Sequence, residues 1–84
     1  MATATLKLFS ILSAYLPPGS SRHSTTIEIE PDSTVASIIA AWNLPAKQCH
    51  IVLRNGRFVP PSARATTAMR EGDALAIWPA VGGG

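Results

Sequence analysis

The sequence is short of the side chains that most catalysts and metalloproteins use. One cysteine, Cys49, occurs in 84 residues. It excludes an intramolecular disulfide and any cysteine-built metal or iron–sulfur site, and it suits a reducing compartment. His23 and His50 are the only imidazoles, and no spacing sets either on one face with a carboxylate, so no metal-ligand set can be written. Both read as ordinary surface residues. A nucleophilic Cys49 would need a base, and in a strand the adjacent His50 points to the opposite face. Charge is sparse as well, with seven Lys or Arg against five Asp or Glu and a net charge of +2. The basic residues stand at 7, 22, 47, 54, 57, 64 and 70, scattered where a nucleic-acid footprint would want clustering and interleaved aromatics, so that signal is weak. Long apolar runs are also missing. The stretch "LFSILSAYL" is too short to span a membrane, and Pro17, Pro18 and Gly19 follow it where a signal peptide would carry a small-residue cleavage site. The expectation is a cytoplasmic protein that uses this run in its own fold.

What is present is enough apolar residue for one core. Hydrophobic residues make up 46% of the chain and charged residues 14%, a balance that argues for a folded domain over a disordered one. At this length there is room for a single small domain close to the size where stability becomes marginal.

Periodicity supplies the elements. In "TLKLF", Leu6 and Leu8 alternate with Thr5 and Lys7, the pattern of a half-buried strand. Phe9, Leu12 and Leu16 then follow at helical spacing with Ser10 as a cap, predicting a short helix ended by Pro17 and Pro18. "TTIEIE" alternates again through Ile27 and Ile29 and predicts a strand antiparallel to the first. Val35, Ile38, Ile39 and Trp42 fall at i, i+3, i+4 and i+7 behind the capping hydroxyls of Ser33 and Thr34, which predicts the main helix. Asn43 can close it in a left-handed conformation, and Pro45 prevents its continuation.

"CHIVLRNGRFV" sets Asn55-Gly56 between two β-rich runs. That pair is favoured in a type I′ hairpin turn because both positions need positive φ. Ser62 to Arg70 reads as irregular chain or a short helical turn anchored by Met69. "REGD" turns the chain into a last strand, "ALAIWP", with Leu75 and Ile77 facing the core. No internal repeat is present. The sum is an α+β domain with one amphipathic helix across a mixed sheet of about five strands, a fold that by itself licenses no function.

The sequence then closes on "WPAVGGG". Three glycines contribute nothing to a core and are costly to order. They are a frayed terminus, an expression remnant, or a functional tail. The pieces taken together resemble the MoaD/ThiS family of ubiquitin-like, β-grasp sulfur carriers. They are Leu8-Phe9 in the first strand, Thr34-Val35 opening the helix, Asn55-Gly56 and Gly72-Asp73 at turns, and Pro79, Val81, Gly83 and Gly84 at the end. Gly82 takes a variable position in that pattern. The internal turn residues are expected to shape the backbone and carry no chemistry.

The resemblance implies a β-grasp body over residues 1–79 and a flexible tail over 80–84. It also implies that the protein is a carrier and not an enzyme, with Gly84 as the covalent attachment point. A carboxylate is ionised at neutral pH and a poor electrophile. A ubiquitin-activating-type adenylyltransferase would therefore use ATP to adenylate it, a sulfur donor would displace AMP to leave a thiocarboxylate, and a synthase subunit would accept the sulfur. Gly82 and Gly83 would let the tail thread a channel too narrow for a Cβ. Five extended residues reach at most about 17 Å, and the body must dock to offset the cost of ordering them. Trp78 and Val81 are docking candidates, Trp78 standing equally as partly buried sheet packing. The stretch through "SAYLPPG" is similar to the molybdopterin synthase small subunit. Thiazole-pathway carriers, protein modifiers joined to lysine, and a β-grasp interaction or RNA-binding module remain alternatives.

Overall fold

The computed structural model describes residues 2–80. Its first strand, β1 (Ala2–Leu8), buries Ala4, Leu6 and Leu8 on one side while Lys7 is exposed on the other. β2 (Ser24–Ile29) does the same with Ile27 and Ile29, and pairs antiparallel to β1 with Ala4 opposite Ile27. The last strand, β5 (Ala74–Trp78), lies parallel to β1 on its other edge, with Leu6 opposite Leu75 and Leu8 opposite Ile77. β3 (Ile51–Arg54) pairs antiparallel to the far side of β5, and the two-residue β4 (Arg57–Phe58) closes the order β2-β1-β5-β3-β4. Leu8, Ile77 and Val52 thus form one cross-strand row, each with no exposed surface. With the helix across it, this five-stranded mixed sheet is the ubiquitin-like β-grasp fold.

That helix, α1 (Val35–Ala41), lays Val35, Ile38 and Ile39 on the sheet, and Trp42, its C-cap, packs partly buried against the same core. Its start is a reciprocal capping box: the Thr34 hydroxyl accepts from the Ser37 N–H at 3.1 Å and the Ser37 hydroxyl accepts from the Thr34 N–H at 2.8 Å. Of the two hydroxyls expected to cap, Thr34 caps the helix. Ser33 instead accepts from the Glu30 N–H at 2.8 Å and tightens the preceding turn. Two further helix N–H groups, of Val35 and Ala36, donate to the carbonyls of Thr67 and Arg64, so the 61–70 segment serves as the helix's partner. Met69 anchors that segment, 2% exposed. The helix closes through Asn43 at φ 57°, with Asn43 N–H bonded to Ala40 O and Leu44 N–H to Ile39 O, a Schellman arrangement.

Two sequence expectations need correction. The short helix after β1 is a 3-10 helix, Ser10–Tyr15, and Phe9, not Ser10, stands at its N-cap. Ser10 has φ 56° and no capping bond is made, because β1 runs on to Leu8 and leaves one residue to reverse direction. Cys49 and His50 precede β3 and do not belong to it. Cys49 ends a 3-10 turn (Ala46–Gln48) forced by Pro45, and the strand opens at Ile51. The hairpin turn is as expected, with Asn55 at φ 52° and Gly56 at φ 83°.

Candidate functional site

β5 delivers the C-terminal segment from the middle of the sheet, flanked by β1 and β3. Ladder bonds hold it to its last residue: Phe9 N–H donates to Ile77 O at 3.2 Å and His50 N–H to Trp78 O at 3.0 Å. The following Pro79 is buried and has no N–H to extend the ladder, and Ala80 is exposed. The root of the tail is therefore fixed on both sides. Val81, Gly82, Gly83 and Gly84, the residues expected to dock, thread and carry the covalent group, lie outside the described residues.

Trp78 lies on the face of the sheet opposite α1, since Ile77 faces the core. Its indole stacks on the Phe9 ring with centroids 4.3 Å apart and planes 4° from parallel. Phe9 also stacks with the His23 imidazole, centroids 4.9 Å apart and planes at 28°. A three-ring stack thus braces the tail root against the loop after β1. Offset stacking of this kind is worth about 0.5–1.5 kcal/mol per aromatic pair beyond burial. His23 is consequently not an ordinary surface residue. It is half-buried, with an Nδ1 that has no hydrogen-bond partner among the described residues, and its carbonyl accepts from Leu8 N–H at 2.8 Å.

Beside the stack, His50, Ile51, Leu53, Trp78 and Pro79 line a shallow, mostly apolar groove of about 350 Å³. Ile51 stands opposite Trp78 and Phe58 opposite Leu53, so the apolar surface runs on to the β4 edge. Ile51 is 41% exposed and Phe58 57%. Among the expected docking residues, then, Trp78 is both sheet packing and the inner edge of an exposed apolar face. Ile51, Leu53 and Phe58 were not singled out from sequence. Their signal was in "IVL", apolar on both alternating faces, where a strand covered on one side alone would show polar residues at 51 and 53.

Cys49 is buried. Its Sγ lies 3.4 Å from Pro45 O, and burial pushes its thiol above the ordinary range despite a smaller opposing pull from Arg64. His50 is exposed at the groove, while the thiol is enclosed. Among the described residues no cluster of three or more His, Cys, Asp or Glu is placed to hold a metal, and no helix is long and apolar enough to cross a membrane.

A β-grasp body with its final strand held at the sheet centre and an apolar face beside the end of that strand is the architecture of a ubiquitin-like small protein. Its family follows from comparison: the ThiS family model matches residues 16–84, and the chain belongs to the ThiS family. The similarity to MoaD/ThiS-type carriers seen in the sequence is borne out. No match to a curated protein is found. Among solved structures, SAMP1 from Haloferax volcanii is 26% identical with a TM-score of 0.68, over 99% of this chain and 100% of that one. A crystal structure of small archaeal modifier protein 1 from the same organism is 24% identical with a TM-score of 0.72, over 96% and 100%. The thiamine biosynthesis protein ThiS from Geobacter metallireducens shares the fold at 19% identity and a TM-score of 0.61, over 95% and 99%.

Proposed function

We propose that the protein is a non-catalytic sulfur carrier that bears its cargo on the Gly84 carboxylate. The observation that carries this reading is the family match extending through the glycine-ended segment. A ubiquitin-activating-type partner uses ATP to form the acyl adenylate with release of pyrophosphate. A sulfur donor then displaces AMP, leaving a thiocarboxylate whose sulfur passes to an acceptor synthase subunit. The apolar face around Trp78, Ile51 and Phe58 supplies the docking energy, and the side chain of Val81 is a further docking contact in this reading. The chain between β1 and β2, with its 3-10 helix, supports molybdopterin synthesis as the destination over the thiazole pathway. ATP belongs to the partner, and the compartment is the cytoplasm.

Incubation with ATP, an adenylating partner and a sulfur source, followed by intact and C-terminal peptide mass measurement, tests this. Exchange of one oxygen for one sulfur should localise to Gly84, be lost on hydrolysis, and be absent when Gly84 is deleted. An unmodified native chain under conditions that load a known carrier would refute it. A second reading, conjugation of Gly84 to lysines of other proteins, is favoured by the likeness to SAMP1. It predicts an isopeptide adduct in the same peptide analysis and does not require a sulfur source.

A further inference from the structure

The helix side of the sheet, opposite the ring stack, carries a feature that the tail chemistry does not use. Arg64 is the one charged residue buried among the described residues, 9% exposed. Its Nε donates to Val59 O at 3.3 Å, but Nη2 is buried and finds no acceptor among the described residues. Burying a guanidinium without a counter-charge is among the costliest arrangements in a protein. Among the described residues none supplies one: the only ion pair there joins Arg54 to Asp73. The neighbouring Cys49 thiol is held protonated by its own burial, so it stays neutral at neutral pH. Meanwhile the Arg64 backbone is pinned, its carbonyl accepting from Ala36 N–H at 2.9 Å at the start of α1.

Arg64 also lines a solvent-open groove of about 480 Å³. Ile39, Ala40 and Leu44 form one wall, and Pro61, Arg64 and Ala65 the other. The alanines keep its rim low enough for a second backbone to approach. An open apolar groove with one uncompensated cation suits a protein segment better than a small molecule, which would need enclosure. We propose that this groove is a second docking site, occupied by a partner-protein segment that seats an apolar side chain against Ile39 and Leu44 and places an adjacent carboxylate on Arg64. Because it lies on the opposite face from Trp78, it can be filled while the tail is engaged. The inference goes beyond the carrier reading and does not depend on it.

The test is an NMR titration of the isotope-labelled full chain with three probes: the capped peptide Ac-Gly-Leu-Asp-Leu-Asp-Gly-NH2, its Leu-Asn counterpart, and sodium octanoate. The acidic peptide should give saturable shifts confined to residues 36–46 and 61–65 and to the Arg64 Nε–H resonance. Binding should weaken by at least about tenfold with the Asn peptide, as expected for loss of a charge-assisted hydrogen bond. It should weaken similarly in Arg64→Met and in Ala40→Glu, which sets a carboxylate on the exposed rim and leaves the core untouched. If Arg64→Met does not fold, Ala40→Glu decides alone. No saturable change at millimolar peptide, equal binding of both peptides, or a groove filled by octanoate but not by the peptide would each overturn the proposal. Thiocarboxylation of Ala40→Glu should be unaffected, which separates this result from the fate of the carrier reading.

Discussion

Asp73 joins two turns that lie far apart in the chain. One carboxylate oxygen accepts from Asn55 Nδ2 at 2.8 Å, the other from Arg70 N–H at 2.8 Å, and Arg54 Nη1 stands 3.9 Å away. Asn55 answers by accepting from Ala74 N–H at 2.8 Å. The hydrogen bond from Asn55 is the main reason that the Asp73 carboxyl is held below its ordinary range, with the Arg70 N–H and the charges of Arg54 and Arg70 adding to it against a partial desolvation. A carboxyl with a lowered folded pKa contributes stability that is full above its unfolded value of about 4 and is lost as pH falls through the folded value. Asp73→Ala should therefore be less stable than wild type by about 1–2 kcal/mol at pH 7. That difference should shrink as the pH is lowered below about 4. Urea unfolding of both proteins from pH 7 to pH 2.5 (roughly the span of carboxylate titration) checks it; a difference that is constant across the range would mean that the carboxylate is not held in its charged form. These turn residues looked interchangeable with those of any hairpin in the sequence, because Asn55-Gly56 and Gly72-Asp73 are explained locally by positive φ. Their pairing across 18 residues is a tertiary fact that no local pattern encodes.

At the scale of elements, β5 carries the heaviest structural duty, since it holds the sheet together between β1 and β3 and also roots the tail. Ile77 has no exposed surface and sits between Leu8 and Val52. Ile77→Ala should cost about 3 kcal/mol from lost burial and the cavity left behind, a large share of the 5–15 kcal/mol that stabilises a typical domain. Thr34→Ala at the helix cap should cost about 1 kcal/mol. Thermal or denaturant unfolding checks both, and equal losses from the two would argue against the packing described. Strong periodicity made these elements readable: Leu6/Leu8, Ile27/Ile29 and Val35/Ile38/Ile39 all face the core as their spacing predicts. Less was legible where geometry departs from ideal periods. The 3-10 helix at Ser10–Tyr15 shares its Leu12 anchor with an α-helical pattern, and its tighter winding comes from the reversal at Phe9 and Ser10. Cys49 and His50 were drawn into a strand by β-rich neighbours, whereas Pro45 and the turn after it take them out.

In the whole molecule, a sulfur carrier of the kind proposed divides the work between the folded body and the segment beyond Ala80, and the two parts should then fail in different ways when altered. The sequence announced the segment through its glycines. It did not announce the apolar face, because Phe9, Ile51, Leu53, Phe58 and Trp78 are dispersed along the chain and meet only through strand order. Phe58 is the most exposed of the large apolar residues on that face, at 57%, and stands on the two-residue edge strand β4, so Phe58→Asp should leave folding nearly unchanged. If the face docks the adenylating partner, the substitution removes binding that is the same in ground and transition states. KM for the carrier should then rise by about tenfold or more while kcat is retained. Gly83→Val acts at the other part: if the segment threads a narrow channel in the partner, a branched Cβ there should obstruct it and misplace the carboxylate. A displacement of about 1 Å can cost on the order of a hundredfold in rate, so here kcat should fall while KM changes little. Steady-state pyrophosphate release with varied carrier concentration measures both constants. The double variant should show the raised KM and the lowered kcat together, with roughly additive free energies, because the sites are separate. A kcat loss in Phe58→Asp equal to that of Gly83→Val would instead mean that the face helps position the carboxylate, and the division of labour between body and tail would have to be abandoned.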